Sequence, residues 1–295
     1  MRDDEILVGT DGSTASQAAV RWAAREAELR ALPLRIVHVF DWQWYAARFG
    51  PGDTYLDEAR KVAETVVLEA EEQARAVAPA VRTRTDTLMG KPAARLLALA
   101  QDAALTVVGS RGHGGFAGLL LGSVSQRLST HAPGPVVVVR GSGDTGQGPV
   151  VAGVDDSPAA GHVLATAFEA AEQRGARLVV VRTFLPAVPL WLDGVPATEV
   201  RTPEEDAAEH ERLEGLLKPW RQKYPQISVE ALVAHDSAAA VLTGVSHTAQ
   251  LVVVGSRGHG TVAGVLLGST GMQLSQHAEC PVLIARPRAD DGGPR

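Results

Sequence analysis

Residues 109–140 and 255–286 are two versions of one segment, identical at 19 of 32 aligned positions at an offset of 146. A second block recurs at an offset of 144: Ile6-Leu7-Val8-Gly9-Thr10-Asp11-Gly12-Ser13 returns as Val150-Val151-Ala152-Gly153-Val154-Asp155-Asp156-Ser157. Such a period is too long for a solenoid, so the 295 residues read as two complete domains in tandem. Between them, residues 141–148 hold four glycines in eight positions, a composition that packs no core and reads as a linker. The expected domains are residues 1–141 and 149–288.

Composition narrows the class. Lys and Arg number 28 against 34 Asp and Glu, a net charge of −6, and no basic run appears, which argues against a nucleic-acid partner. Cys280 is the one cysteine, so a disulfide framework and a cysteine zinc cage are excluded. It precedes Pro281 at the start of an apolar run and reads as an inert core residue. No apolar run approaches the roughly 18 residues of a membrane span. Met1-Arg2-Asp3-Asp4-Glu5 leads straight into a strand-like run without a signal-peptide core, so the expected location is cytoplasmic.

Each copy alternates short β-branched runs with longer helical patterns. In the first, Ile6–Gly9, Leu34–Phe40, Arg82–Leu88, Leu105–Gly109 and Pro135–Val139 predict strands. Thr106–Val108 and Val136–Val139 lack polar alternation, as strands buried on both faces do. Ser13–Leu29, Asp57–Val77, Ala93–Ala103 and Ser123–His131 predict helices, the first capped by Ser13. The second copy repeats the order, with strands near 150–154, 178–183, 227–234, 251–255 and 282–285, and Ser157-Pro158 predicts a helix start with proline at its first position. The alternation predicts an α/β fold: a parallel sheet with helices on both faces, five strands and four helices per copy.

The glycine spacing after the fourth strand carries the chemistry. Gly109-x-x-Gly112 is followed after nine residues by Gly122-Ser123, and Gly255-x-x-Gly258 by Gly268-Ser269 at the same spacing. Paired glycines let the backbone leave the strand in a tight turn with its N–H groups facing a ligand. Gly122-Ser123 then opens a helix, whose unpaired N–H groups and dipole make an anion site. Glycines that serve only as turn residues remain the plain alternative, which their survival in both copies disfavours.

This G-x-x-G-x9-G-[ST] spacing, with the opening Val8-Gly9-Thr10-Asp11-Gly12-Ser13, Val37-His38-Val39 and Cys280-Pro281-Val282-Leu283, resembles the ATP-binding class of the universal stress protein family over nearly the whole chain. The resemblance implies a Rossmann-like five-stranded parallel sheet in order 3-2-1-4-5 per domain, with ATP at the carboxyl ends of strands one and four. The crevice where strand order reverses is also where open α/β sheets bind ligands. By carry-over, Asp11 and Asp155 take the adenosine side, preceded by Gly9-Thr10 and Gly153-Val154. Val39 and Thr183 face adenine with their backbone. Gly112, Gly122, Ser123 and Val124 hold the phosphates, matched by Gly258, Gly268, Ser269 and Thr270, and Gly109, Ser125 and Gly255 complete the cofactor-binding set. Arg111, His113, Arg257 and His259 are candidates to neutralise polyphosphate charge. The second copy departs where Gly90-Lys91-Pro92 becomes Asp236-Ser237-Ala238, His38-Val39 becomes Arg182-Thr183, and Val124-Ser125 becomes Thr270-Gly271. Two sites of unequal affinity are expected.

His131 and His277 repeat in the last turn of a helix, where histidine serves the dipole. Phe40, Trp42, Trp44, Tyr45, Phe49 and Tyr55 cluster after strand two, and Trp191 sits in the longer counterpart of that connection, a lid or dimer contact beside the pocket. A Walker A loop is absent, none of the four lysines lies in a phosphate loop, and no metal-ligand or Ser-His-Asp spacing stands out, so no catalytic or metal-ligating residue is assigned. Gly112-His113-Gly114 with Ala117 fits a dinucleotide fingerprint only weakly, since it follows the fourth strand. The expectation is a regulatory adenine-nucleotide binder, homodimeric, with at most weak ATP hydrolysis. A slow ATPase or phosphotransferase using Asp11 or Asp155 with Mg²⁺ stays open as the alternative.

Overall fold

A computed structural model of the chain describes residues 4–41, 53–113, 120–141, 143, 146–185, 203–256 and 267–287. The chain divides into two compact units, Met1–Asp144 with Pro281–Arg295 and Thr145–Cys280.

In the first unit the chain order is β1 (Ile6–Thr10), α1 (Thr14–Leu29), β2 (Leu34–Phe40), α2 (Asp53–Val77), β3 (Thr83–Met89), α3 (Pro92–Leu99), β4 (Leu105–Gly109), α4 (Ser123–His131) and β5 (Val136–Val139). The strands lie in the order β3-β2-β1-β4-β5, all parallel. Every residue of β1, β4 and β5 is buried, as their unbroken apolar runs require. The outermost β3 is partly exposed and alternates threonine with charge. β10 (Val282–Ala285), which forms where a strand is predicted, pairs antiparallel with β5 through Val282–Val138 and Ile284–Val136.

α1 buries its alanine face along β1 and β4, where small side chains let the helix lie close to the sheet. It packs with α2, while α3 packs with α4, so the two pairs cover opposite faces. α2 starts at Asp53, four residues before the pattern suggests, and α3 stops at Leu99, where the chain turns through residues 100–102.

The second unit contains β6 (Val150–Gly153), α5 (Ala160–Arg174), β7 (Leu178–Thr183), α6 (Pro203–Lys223), β8 (Val229–Ala234), α7 (Ala238–Ser246), β9 (Leu251–Gly255) and α8 (Ser269–His277). Its strands run in the order β9-β6-β7-β8, again parallel. Phe168 of α5, fully buried, stacks on Trp220 and Tyr224 at the end of α6, with ring centroids at 5.6 and 5.2 Å. One expectation is corrected here. Ser157 does not cap α5: the helix begins at Ala160, and Ala160 N–H closes a tighter turn onto the Ser157 carbonyl at 3.0 Å.

Candidate functional site

β1 lies between β2 and β4, so the first connection leaves its carboxyl end on one side and the fourth strand's loop leaves on the other. A cavity of about 410 Å³ opens in the resulting crevice. One wall is Gly9, Thr10 and Asp11 at the end of β1. A second is Gly109, Arg111 and Gly112 after β4, continued by Gly122, Ser123, Val124 and Ser125 at the start of α4. Val39 closes the β2 side. His113 is not part of the lining, but its N–H donates to Asp11 Oδ2 at 2.8 Å.

Asp11 ties the two walls together. Its Oδ1 accepts Ser13 N–H at 3.1 Å and its Oδ2 accepts from the glycine loop at His113. Burial pushes its carboxyl up, but hydrogen bonds from Ser13, the His113 backbone and Ser16 outweigh this and hold it below the usual value of 3.8. A Cβ added at Gly112 would collide with Asp11 Oδ2, so this glycine is required by close approach of the loop to the carboxylate.

α4 begins at Gly122 without a side-chain cap. Gly122 N–H itself donates to Ser110 O at 2.8 Å and folds the loop back, so it is not one of the free donors of this helix start. Ser125 Oγ donates to Gly109 O at 2.5 Å, pinning the helix to the end of β4. Five further lining residues were not among the expected site residues: Ser16 of α1, Val37 of β2, Val108 of β4, and Pro92 and Leu96 of α3. Val37, Val108 and Leu96 give the cavity an apolar part. Each is the sort of residue that a pattern assigns to the core.

In the second unit a cavity of about 220 Å³ occupies the corresponding place. Gly153, Val154, Asp155, Thr183, Gly255, Gly268, Ser269 and Thr270 line it, together with Ser157, Ala160, Val181, Ala238 and Leu242. Gly268 N–H donates to Ser256 O at 2.8 Å, repeating the fold-back, and α8 also starts without a side-chain cap. Arg257, Gly258 and His259 lie outside the described residues, as do Trp42, Trp44, Tyr45, Phe49 and Trp191.

The substitutions between copies change how the walls are held. Thr10 Oγ1 and Ser16 Oγ are 3.2 Å apart and accept Gly12 and Asp11 N–H, whereas Val154 and Ala160 bring no hydroxyls. His38 Nδ1 sits 2.7 Å from Thr10 O, a bond made by its Nδ1–H tautomer. Arg182, buried in its place, bonds Asp156 Oδ2 at 2.6 Å and Glu209 Oε2 of α6 at 2.5 Å. The bond to Asp156, against the opposing effect of burial, raises the Arg182 pKa further, so this side chain stays charged.

Elsewhere, His131 ends α4 with Nδ1 3.2 Å from Arg127 O, and Cys280 is buried, its thiol pushed up to about 12 by burial. Among the described residues no group of three His, Cys, Asp or Glu side chains could hold a metal ion, and no helix is long and apolar enough to cross a membrane.

The family model described as the universal stress protein family matches residues 4–140 and again 148–286. A universal stress protein of Mycobacterium tuberculosis is 38% identical over 299 residues, covering 95% of this chain and 96% of the relative. One from Mycolicibacterium smegmatis is 35% identical over 295 residues, covering 96% and 97%. Among solved structures, a universal stress protein from Archaeoglobus fulgidus superposes with a TM-score of 0.72 at 19% identity, covering 97% of this chain and 99% of that one, a likeness of fold.

Proposed function

The chain belongs to the universal stress protein family, and from that premise we propose that it is a regulatory protein that binds adenine nucleotide, ATP foremost, at two sites of unequal affinity. The observation that carries this reading is the first cavity, which brings together an uncapped helix start, a glycine loop and the apolar side chains of Val37, Val39 and Leu96. Backbone N–H groups suit a polyphosphate, and the apolar side chains suit a purine. With a net charge of −6 the protein offers no general attraction for a polyanion, so local donors must hold it. In this reading Asp11 and Asp155 face the sugar, and the starts of α4 and α8 the phosphates. Nucleotide occupancy then governs homodimerisation or a protein contact in the cytoplasm.

Binding is favoured over turnover by the state of Asp11. Hydrogen bonds hold its carboxyl below the usual value, which makes it a weak general base. The slow-ATPase alternative therefore has no specific observation behind it. The test is to denature the purified protein, identify any released nucleotide by chromatography, and titrate stripped protein with ATP. Two binding events of different affinity are expected, with hydrolysis no faster than slow background. Absence of adenine nucleotide together with absence of ATP affinity overturns the proposal.

A further inference from the structure

Ser13 and Ser157 are the same residue in the two copies, and the structure uses them differently. Ser13 Oγ accepts Ser16 N–H at 3.3 Å and so caps α1, and Ser13 does not line the first cavity. In the second copy the corresponding amide, Ala160 N–H, goes to the Ser157 carbonyl instead of its hydroxyl. Ser157 lines the second cavity, and its Oγ is buried with no hydrogen-bond partner among the described residues. A buried hydroxyl left unpaired is costly, and groups of this kind mark places where a ligand completes the bonding.

The cause lies one residue earlier. Gly12 takes φ +81°, in the left-handed region, whereas Asp156 does not enter that region. The Asp156 carboxylate is drawn to Arg182, which is anchored in turn on Glu209 of α6. The turn after β6 is thereby held in a different backbone path, and α5 starts two aligned positions later than α1. The serine that caps in the first copy is released in the second.

Topology indicates what Ser157 meets. β6 lies between β7, which supplies Val181 and Thr183, and β9, whose loop leads to the start of α8. A ligand with its anionic end on α8 and its apolar end on β7 lays its middle across Asp155 and Ser157, and in a nucleotide that middle is the sugar. We propose that the Ser157 hydroxyl is a sugar-contacting group of the second site without counterpart in the first, and that the Arg182–Asp156 pair is the positioning element that delivers it. This rests on the nucleotide reading of the second cavity.

The test uses the full chain with Gly112→Val, which weakens the first site, titrated calorimetrically with ATP, 2′-deoxy-ATP and 3′-deoxy-ATP. If that variant does not fold, the unmodified chain fitted with two sites serves with the same outcomes. Ser157→Ala is expected to weaken ATP about fivefold to tenfold. It should weaken at least one deoxynucleotide less, and leave the ligand-free melting temperature unchanged or raised. Asp156→Gly with Arg182→His, the pair present in the first copy, should weaken ATP similarly, after which Ser157→Ala adds nothing. ATP binding indifferent to Ser157→Ala, equal losses for all three nucleotides, or a lowered ligand-free melting temperature overturns the inference while the nucleotide reading stands. No ATP binding by the unmodified chain overturns both.

Discussion

After β1 the chain turns through Gly12 in the left-handed region, and a set of hydroxyls from Thr10, Ser13 and Ser16 ties the turn to the first turn of α1. After β6 the same Asp-x-Ser frame passes through Asp156, whose carboxylate is clamped by buried Arg182 to α6. The first arrangement is built mostly from short-range hydrogen bonds among residues 10–16, with the Asp11 carboxylate reaching across to His113 N–H. The second is an ion-pair bridge that makes this turn depend on Glu209, 53 residues beyond Asp156. The aspartate at the end of each central strand is common to both copies, and the scaffold around it differs. Two sites with the same motif therefore need not bind alike.

The largest expected effect that tests this comparison is at Gly112. Gly112→Val places a side chain against the Asp11 carboxylate and breaks its bond to His113. ATP affinity at the first site should fall roughly 10- to 100-fold, the worth of a hydrogen bond to a charged group plus the clash. Calorimetric stoichiometry should drop from two to one; loss of both sites together would show that the copies are not independent.

Next comes pH. Because the Asp11 carboxyl titrates below 3.8 in the folded protein, its ionised form contributes stability above the ordinary carboxylate value. That contribution is lost as pH falls through the lower folded-state value. Asp11→Asn should therefore flatten the fall in melting temperature between about pH 4 and 2, as followed by circular dichroism. An unchanged pH profile would mean that the hydrogen bonds to Asp11 do not favour its charged form.

Ser13→Ala removes a helix cap and should cost about 1 kcal/mol in urea denaturation, whereas Ser157→Ala should cost nothing. Equal costs would erase the distinction between the two turns. The smallest effect is expected at Thr10→Val, which installs the second copy's residue. Its two hydroxyl contacts are long, 3.2 and 3.3 Å, so the loss should be about 0.5 kcal/mol.

Much of this was open to inspection in the chain itself. The valine runs of β4, β5 and β9 announce strands covered on both faces, because a strand with one wet face would alternate. The glycines at 109, 112 and 122 and the aspartate at 11 meet in the first cavity because the strand–helix alternation fixes which strand ends converge. Other features were hidden. Leu96 and Leu242 line the cavities, yet on a helix they carry the same signal as any core leucine. Gly122 looks like a phosphate donor, but its N–H is committed to Ser110 O. Ser157-Pro158 reads as a standard helix start, and nothing adjacent to it shows that the helix begins later.

The duplication, the α/β alternation and the positions of the glycine loops followed from the sequence alone, because hydrophobic period and backbone freedom are properties of a few consecutive residues. Tertiary structure decided which hydrogen-bonding groups are committed and which face a cavity. That choice depends on partners distant along the chain: Asp11 on His113, Gly109 on Ser125, and Asp156 on an arginine 26 residues away. Whether one serine caps a helix and its copy lines a cavity is settled by such encounters, which no local pattern encodes.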